Sequence, residues 1–293
     1  MHEHEKSYRA GLVRIHIAVL LAGGAGPFAK LLTVSPAVLT TGRTVFGSLA
    51  LLIFAIATGT SLRLRSGKDF IALALSGMIL AAHWFTFFLS IQVSTVAIGL
   101  LAFSTFPLFT TFLEPLVFGE RLRRQDIVTA LLVTAGLILV TPSFDFGNRL
   151  TQGMLWGMLS AFTYAVLALL SRSYGNRYPS ACISFYQQGF AALCTLPFAL
   201  QWQGVLTTGT LLTLLILGVV FTALGQGLVV ASLRHLRAQT VSIVFGLEPV
   251  YGILLAWLLI GEMPAARTLL GGCLICGAVL WASLKHGQAK AHG

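Results

Sequence analysis

Long apolar runs, broken at short intervals by charge, proline and glycine, occupy almost the whole chain. Each approaches the roughly 20 residues that a helix needs to cross the hydrocarbon core of a bilayer. Their approximate limits are 11–32, 35–57, 69–90, 93–118, 124–142, 151–172, 178–200, 208–233, 237–259 and 264–286. The links between them are mostly too short for a soluble domain, and no Ser-rich, Pro-rich or acidic linker divides the chain. The first run, from Gly11 to Leu32, is too long for the core of a signal peptide and reads as an uncleaved first helix. The pattern predicts an all-α integral membrane protein of ten transmembrane helices, with its function placed between them.

Composition removes the soluble alternative. Hydrophobic residues make up 56% of the 293 residues, charged residues 10%, and the mean hydropathy is +0.87. A water-soluble domain has no interior large enough for that share of apolar surface. The net charge of +10 raises nucleic acid as a partner, but the Lys and Arg residues sit in the short links, which is the signature of membrane orientation. They concentrate at the N-terminus and around Arg63, Arg121, Arg177, Arg234 and Lys285, whereas the alternate links hold Lys30, Arg149 and Arg267. Positive links stay in the cytoplasm, so both termini are expected there, in a bacterial inner membrane, with no nucleic acid bound. Cys182, Cys194, Cys273 and Cys276 all lie in apolar runs and read as packing residues rather than as disulfide or metal ligands.

Comparing the chain with itself at a separation of 142 residues lays Thr95–Glu120 over Arg237–Glu262. Phe103 then meets Phe245, Pro107 meets Pro249, and Gly119-Glu120 meets Gly261-Glu262. Two repeats follow, 1–142 and 151–286, of five helices each. Because five is odd, the second enters the membrane from the opposite side, giving two inverted-topology repeats. Such a pair has similar energies facing either way, which suits alternating access to a site near the midplane. A duplication kept purely for packing is the competing reading.

Ionisable groups at membrane depth cost at least about 2.5 kcal/mol on insertion scales and therefore face a partner or a cavity. Arg43, His83, Glu114 and Glu248 are such groups. Glu248 sits mid-span before Pro249, where the missing N–H loosens the helix, and either carries a coupling proton or is a neutral carboxyl hydrogen-bonded to the freed carbonyls. Pro107 is the matching hinge in the first repeat. Glu114 lies near a basic link and is expected to be satisfied there. Arg43, two turns inside the second span, either binds a substrate carboxylate or pins helices together. Helical spacing sets His83 beside Phe87 and Trp84 beside Phe88. With Phe103, Phe106, Tyr164, Tyr186, Gln187, Gln226 and Phe245 they outline an aromatic pocket with few polar anchors, suited to an apolar body with a small polar head.

The Gly-Glu pairs after spans four and nine, Arg43 in span two, Leu247-Glu248-Pro249 and Ser171-Arg172 together resemble the drug/metabolite transporter superfamily, in particular its ten-helix EamA-type exporters. The likeness covers nearly the whole chain and departs in the first helix, where Ala22-Gly23-Gly24-Ala25-Gly26-Pro27 replaces the usual tryptophan region. The resemblance implies a monomeric or homodimeric carrier that exports amino acids or related metabolites, without a cofactor and driven by a proton or substrate gradient. No Gly-rich phosphate cradle of an ATP motor is present. An integral membrane enzyme is the alternative from another class, but His2, His4, His286 and His292 lie at the tails and only His83 lies deep. A passive uniporter or pore is the third reading.

The expected topology is checked by reporter fusions: those after Leu64 and Gly293 are expected to report the cytoplasm, and one after Phe146 the opposite face. A cytoplasmic signal at Phe146 would refute both the orientation and the inverted repeat.

Overall fold

The computed structural model describes residues 2–119, 124–140, 145–175, 177–233 and 244–291. Every regular element among them is helical: α1 (His2–Leu31), α2 (Pro36–Thr58), α3 (Gly67–Val93), α4 (Val96–Phe103), α5 (Phe106–Phe118), α6 (Arg124–Val140), α7 (Arg149–Gly175), α8 (Ser180–Leu200), α9 (Thr208–Ile216), a π-helical segment (Leu217–Leu224), α10 (Gly225–Leu233), α11 (Glu248–Ile260) and α12 (Ala266–Ala291). Among the described residues, six stretches are long and apolar enough to cross a membrane, two of them composite: α4 with α5, and α9 with the π segment and part of α10. The apolar parts of α6, α11 and α12 are shorter, and α8 has Tyr186, Gln187 and Gln188 in its middle. Glu120, Arg121, Arg123, Arg234 and Arg237 lie outside the described residues, as do the side chains of Glu114 and Arg172.

Local chemistry sets the helix ends. Ser35, Ser66, Thr95 and Thr207 each accept a backbone N–H of the first turn they cap, and Pro36 starts α2 where its missing donor costs nothing. The polypeptide turns back at Gly59, Gly119 and Gly261 with φ of 66°, 70° and 67°, a conformation that a side chain would strain. The sequence comparison also has a backbone counterpart. α4 stops before Ser104-Thr105 and α5 begins at Phe106; Val244 and Phe245 are helical, Gly246-Leu247 break the helix and α11 begins at Glu248. The residues before the two restarts have nearly the same backbone angles, φ −79° ψ −5° at Thr105 and φ −88° ψ −2° at Leu247. Pro107 and Pro249 thus occupy the first turn of a new helix, not the interior of a kinked one. The sequence places a flexible point there; the structure makes it a full interruption.

Lipid tails give helices no hydrophobic reason to associate, so close backbone contact at small residues does that work. α1 crosses α11 where Gly23 meets Gly252: a Cβ on Gly23 would stand 2.6 Å from the Glu248 carbonyl oxygen and 2.9 Å from the Gly252 nitrogen. α6 crosses α12 at Gly136 and Gly271 in the same way, and α2 meets the π segment at Gly47 and Gly218. The outward surface is apolar, with Ile56, Leu131, Leu193 and Leu258 all more than half exposed. The largest core cluster runs through the centre, from Ala25 and Leu39 to Phe88, Leu100, Ala161 and Leu217.

Both ends of the bundle are stitched by polar contacts. At the Lys30 end, Lys30 Nζ donates to the Ser94 carbonyl (2.7 Å), Gln92 Nε2 donates to the Val34 carbonyl (2.9 Å), and Glu262 Oε1 accepts the Ala97 N–H (3.2 Å). At the Arg63 end, the Tyr178 hydroxyl donates to Asp69 (2.6 Å) and accepts the Arg65 N–H (2.9 Å), while Arg177 lies 3.5 Å from Asp69. Burial, and then the bond to Asp69, push the Tyr178 phenol above its ordinary range, so it stays a neutral donor at physiological pH.

Gly23→Ala is expected to cost about 1–3 kcal/mol by overpacking two backbones that cannot yield. Gly227→Ala, where a Cβ meets nothing within 4 Å, is expected to be neutral or to gain up to about 1 kcal/mol from helix propensity. Thermal melting in detergent distinguishes them; equal melting temperatures would remove the Gly23–Gly252 crossing as a determinant of packing.

Candidate functional site

Arg43 is 7% exposed and sits two turns into α2. Its guanidinium carbon lies 4.1 Å above the centre of the Trp84 ring and 5.9 Å from Phe88, so both aromatics on one face of α3 form its floor. Its Nε donates to the Thr222 hydroxyl at 2.6 Å. Thr222 spends its one proton on the Leu217 carbonyl five residues back (2.9 Å), the reach that a π-helical turn provides. The sequence leaves Arg43 either to bind a substrate carboxylate or to pin helices together; here a hydroxyl of the π segment and two rings of α3 hold it.

The other face of that α3 stretch builds a wall. His83 stands 5.2 Å from Phe103 and 5.0 Å from Tyr164 by ring centres, and Phe106 packs 5.4 Å from Phe103 and 5.0 Å from Tyr164. Phe87 closes on Phe103 at 5.5 Å. Ser160 on α7 fixes the imidazole: its hydroxyl donates to the His83 carbonyl (3.0 Å) and sits 2.8 Å from Nδ1. With the serine proton so used, Nδ1 carries the ring hydrogen and donates to Ser160, leaving Nε2 as an acceptor.

Glu248, 8% exposed, opens α11. Its charge acts through space on Arg43 and on Tyr164, yet no hydrogen bond or ion pair reaches its carboxylate among the described residues. The same holds for the Tyr164 hydroxyl and for the terminal nitrogens of Arg43. None of these atoms is sealed from its surroundings, for Gln188 Oε1 is the one fully enclosed side-chain polar atom without a partner among the described residues. Polar atoms that are neither bonded nor sealed must border an open space. Arg43, His83, Trp84, Phe87, Phe103 and Phe106 come from the first half of the chain; Tyr164 and Glu248 come from the second.

Four other sequence candidates make other contacts. Tyr186 donates to the Leu62 carbonyl (3.1 Å) and lines an apolar surface groove of about 330 Å³ with Phe185, Gly189, Phe190 and Leu193. Gln187 donates to Ser171 (3.0 Å), and Gln226 is exposed and accepts from Ser184 (3.2 Å). Phe245 packs with Ile15, Val19 and Tyr251. Thr222 and Ser160 were absent from the sequence candidates, because a hydroxyl in an apolar run leaves no mark in hydropathy or periodicity.

Known proteins resemble the chain along its whole length. The profile of the EamA-like transporter family matches twice, at residues 9–141 and 151–284. An uncharacterized transporter of Archaeoglobus fulgidus is 27% identical over 93% of this chain and 96% of its own length. The pseudopaline exporter CntI of Pseudomonas aeruginosa is 29% identical over 59% of this chain and 61% of its own. A probable amino-acid metabolite efflux pump of Salmonella typhimurium is 28% identical over 57% and 60%. A solved crystal structure shares the fold with a TM-score of 0.67 at 22% identity, covering 94% of this chain and 96% of that one. With the family profile matching both halves around a charged, aromatic-walled centre, the chain belongs to the EamA-like transporter family and is a multi-pass membrane transporter, not an enzyme.

Proposed function

We propose that this transporter is a secondary active exporter of amino acids or related amphipathic metabolites, working by alternating access between two five-helix repeats of opposite topology. On this reading ten helices cross a bacterial inner membrane, with both termini in the cytoplasm. The twofold family match, the separation of 142 residues and the matched helix restarts at Phe106 and Glu248 support the repeat. The names of the pseudopaline exporter and the amino-acid metabolite efflux pump support export of a small polar-headed compound.

The observation that carries the mechanism is the pair Arg43 and Glu248. They come from opposite repeats, interact electrostatically and are not joined by a bond. A carboxylate left unpaired at depth, on the first turn of a helix that restarts mid-span, is where one proton changes the local charge balance and where the backbone is free to respond. Pro107 and Pro249 start the two half-helices on which the repeats pivot. The wall of His83, Phe103, Phe106 and Tyr164 holds the apolar body of the substrate, with Trp84 and Phe87 behind it.

Counterflow and gradient-driven uptake in proteoliposomes test this proposal. Glu248→Gln is expected to retain exchange of substrate for substrate and to lose concentrative uptake under an imposed proton gradient. Unaltered gradient-driven uptake would make Glu248 structural and end the coupling role; a lack of counterflow in the wild type for every amphipathic metabolite tried would reject the substrate class.

A further inference from the structure

Arg43 is held unusually for a buried guanidinium. One nitrogen, Nε, is fixed by Thr222; the plane is fixed by Trp84; and the two terminal nitrogens make no hydrogen bond among the described residues. The hold depends on a chain of small steps. Gly218 on the π segment fits against the Arg43 carbonyl and the Gly47 nitrogen, where a Cβ would come within 2.7 and 2.8 Å. The π-helical turn then lets Thr222 reach the Leu217 carbonyl, so the lone pairs of its oxygen point at Arg43. A regular α-helical turn would direct the hydroxyl to the fourth residue back and turn those lone pairs elsewhere.

We propose that Thr222 is a positioning residue that presents the terminal edge of Arg43 as a two-toothed fork, and that the compound carried therefore bears a planar or tetrahedral oxyanion, a carboxylate or phosphate, that docks there with its apolar part against the His83–Tyr164 wall. This rests on the reading of the pocket as the transport site. Two parallel N–H donors at the end of a guanidinium match the spacing of two oxygens on one acid group, and lysine cannot reproduce that geometry. Stacking on Trp84 and bonding at Nε consume the rotational freedom that the fork would otherwise lose on binding. Glu248 nearby repels a second negative charge, which favours compounds that also carry a cationic group.

The test uses the full chain in proteoliposomes and phenylglyoxal, which adds to terminal guanidinium nitrogens, with the Arg43 peptide followed by mass spectrometry. In the wild type, label is expected to enter Arg43; L-phenylalanine slows this, and 2-phenylethylamine, which has the same ring and amine but no acid group, does not. Thr222→Val is expected to raise the phenylalanine concentration for half-protection about tenfold, the loss expected of one hydrogen bond to a charged group, and Thr222→Ser to restore it. Recovery by serine separates positioning from a packing role of the threonine. Protection by phenyl phosphate and not by phenylalanine would assign the fork to phosphate esters and keep the proposal. No label at Arg43, protection by neither acid, equal protection by 2-phenylethylamine, or unchanged protection in Thr222→Val would each overturn it. Counterflow with no protection rejects the oxyanion site while leaving transport standing; protection without counterflow does the reverse.

Discussion

A guanidinium in the middle of a membrane protein has to be held, and the cost of leaving it unheld organises much of this molecule. The charge of Arg43 is spread over the faces of Trp84 and Phe88, and its Nε is bonded to Thr222. Each partner brings its own requirement. Trp84 must stand on the same α3 face as Phe88, which four-residue spacing supplies. Thr222 needs the π turn, and the π turn needs the glycine contact between Gly47 and Gly218 that brings its backbone against α2. The charged centre, an irregular helix and a stripe of small residues are thus parts of one solution.

The two helix interruptions show how a repeated backbone acquires unlike chemistry. At each, the chain leaves a helix, passes two residues and restarts with proline in the first turn, where its missing N–H costs nothing. In the first half Ser104 and Thr105 bond back to the Leu101 and Ala102 carbonyls, and the residue at the restart is Phe106, packed into the aromatic wall. In the second half the corresponding residue is Glu248, whose carboxylate lies at the positive end of its own helix dipole. One interruption supplies apolar surface and the other a charge. The centre lined from both halves therefore has an apolar side and a charged side, as the proposed substrate with an apolar body and a polar head would need.

Much of this was legible beforehand, for identifiable reasons. Apolar run length and charged breaks marked the helices because the bilayer imposes both, and the 142-residue separation located the two interruptions because proline and glycine report backbone geometry directly. Arg43, His83, Trp84, Phe103, Phe106, Tyr164 and Glu248 were found as polar or aromatic groups at depth, and they do lie together. Tyr186, Gln187, Gln226 and Phe245 passed the same filter and meet other partners, since periodicity gives a residue's face on its own helix but not which neighbour that face meets. The π segment was invisible: Leu217–Leu224 is an apolar run like any other, and nothing in its hydropathy or periodicity marks the wider turn.

The packing around the site is uneven in a way that bears on motion. All eight residues of α4, on the Lys30 side of the interruption, are buried, whereas on α5 Leu116 is 81% exposed. The Lys30 bond ties α1 to the link after α3, and the Gln92 bond ties α3 to the link between α1 and α2; both lie within the first half, so they persist if the halves rock against each other. The bond from Ala97 N–H to Glu262 is of another kind, for it joins the start of α4 to the link between α11 and α12 across the halves. A hydrogen bond to a carboxylate is worth about 1.5–3 kcal/mol, which is the range in which one conformation dominates without excluding the other. If the halves rock as proposed, contacts of that strength suit them: much stronger ones would lock the carrier, and much weaker ones would let the Lys30 end open without the site being filled.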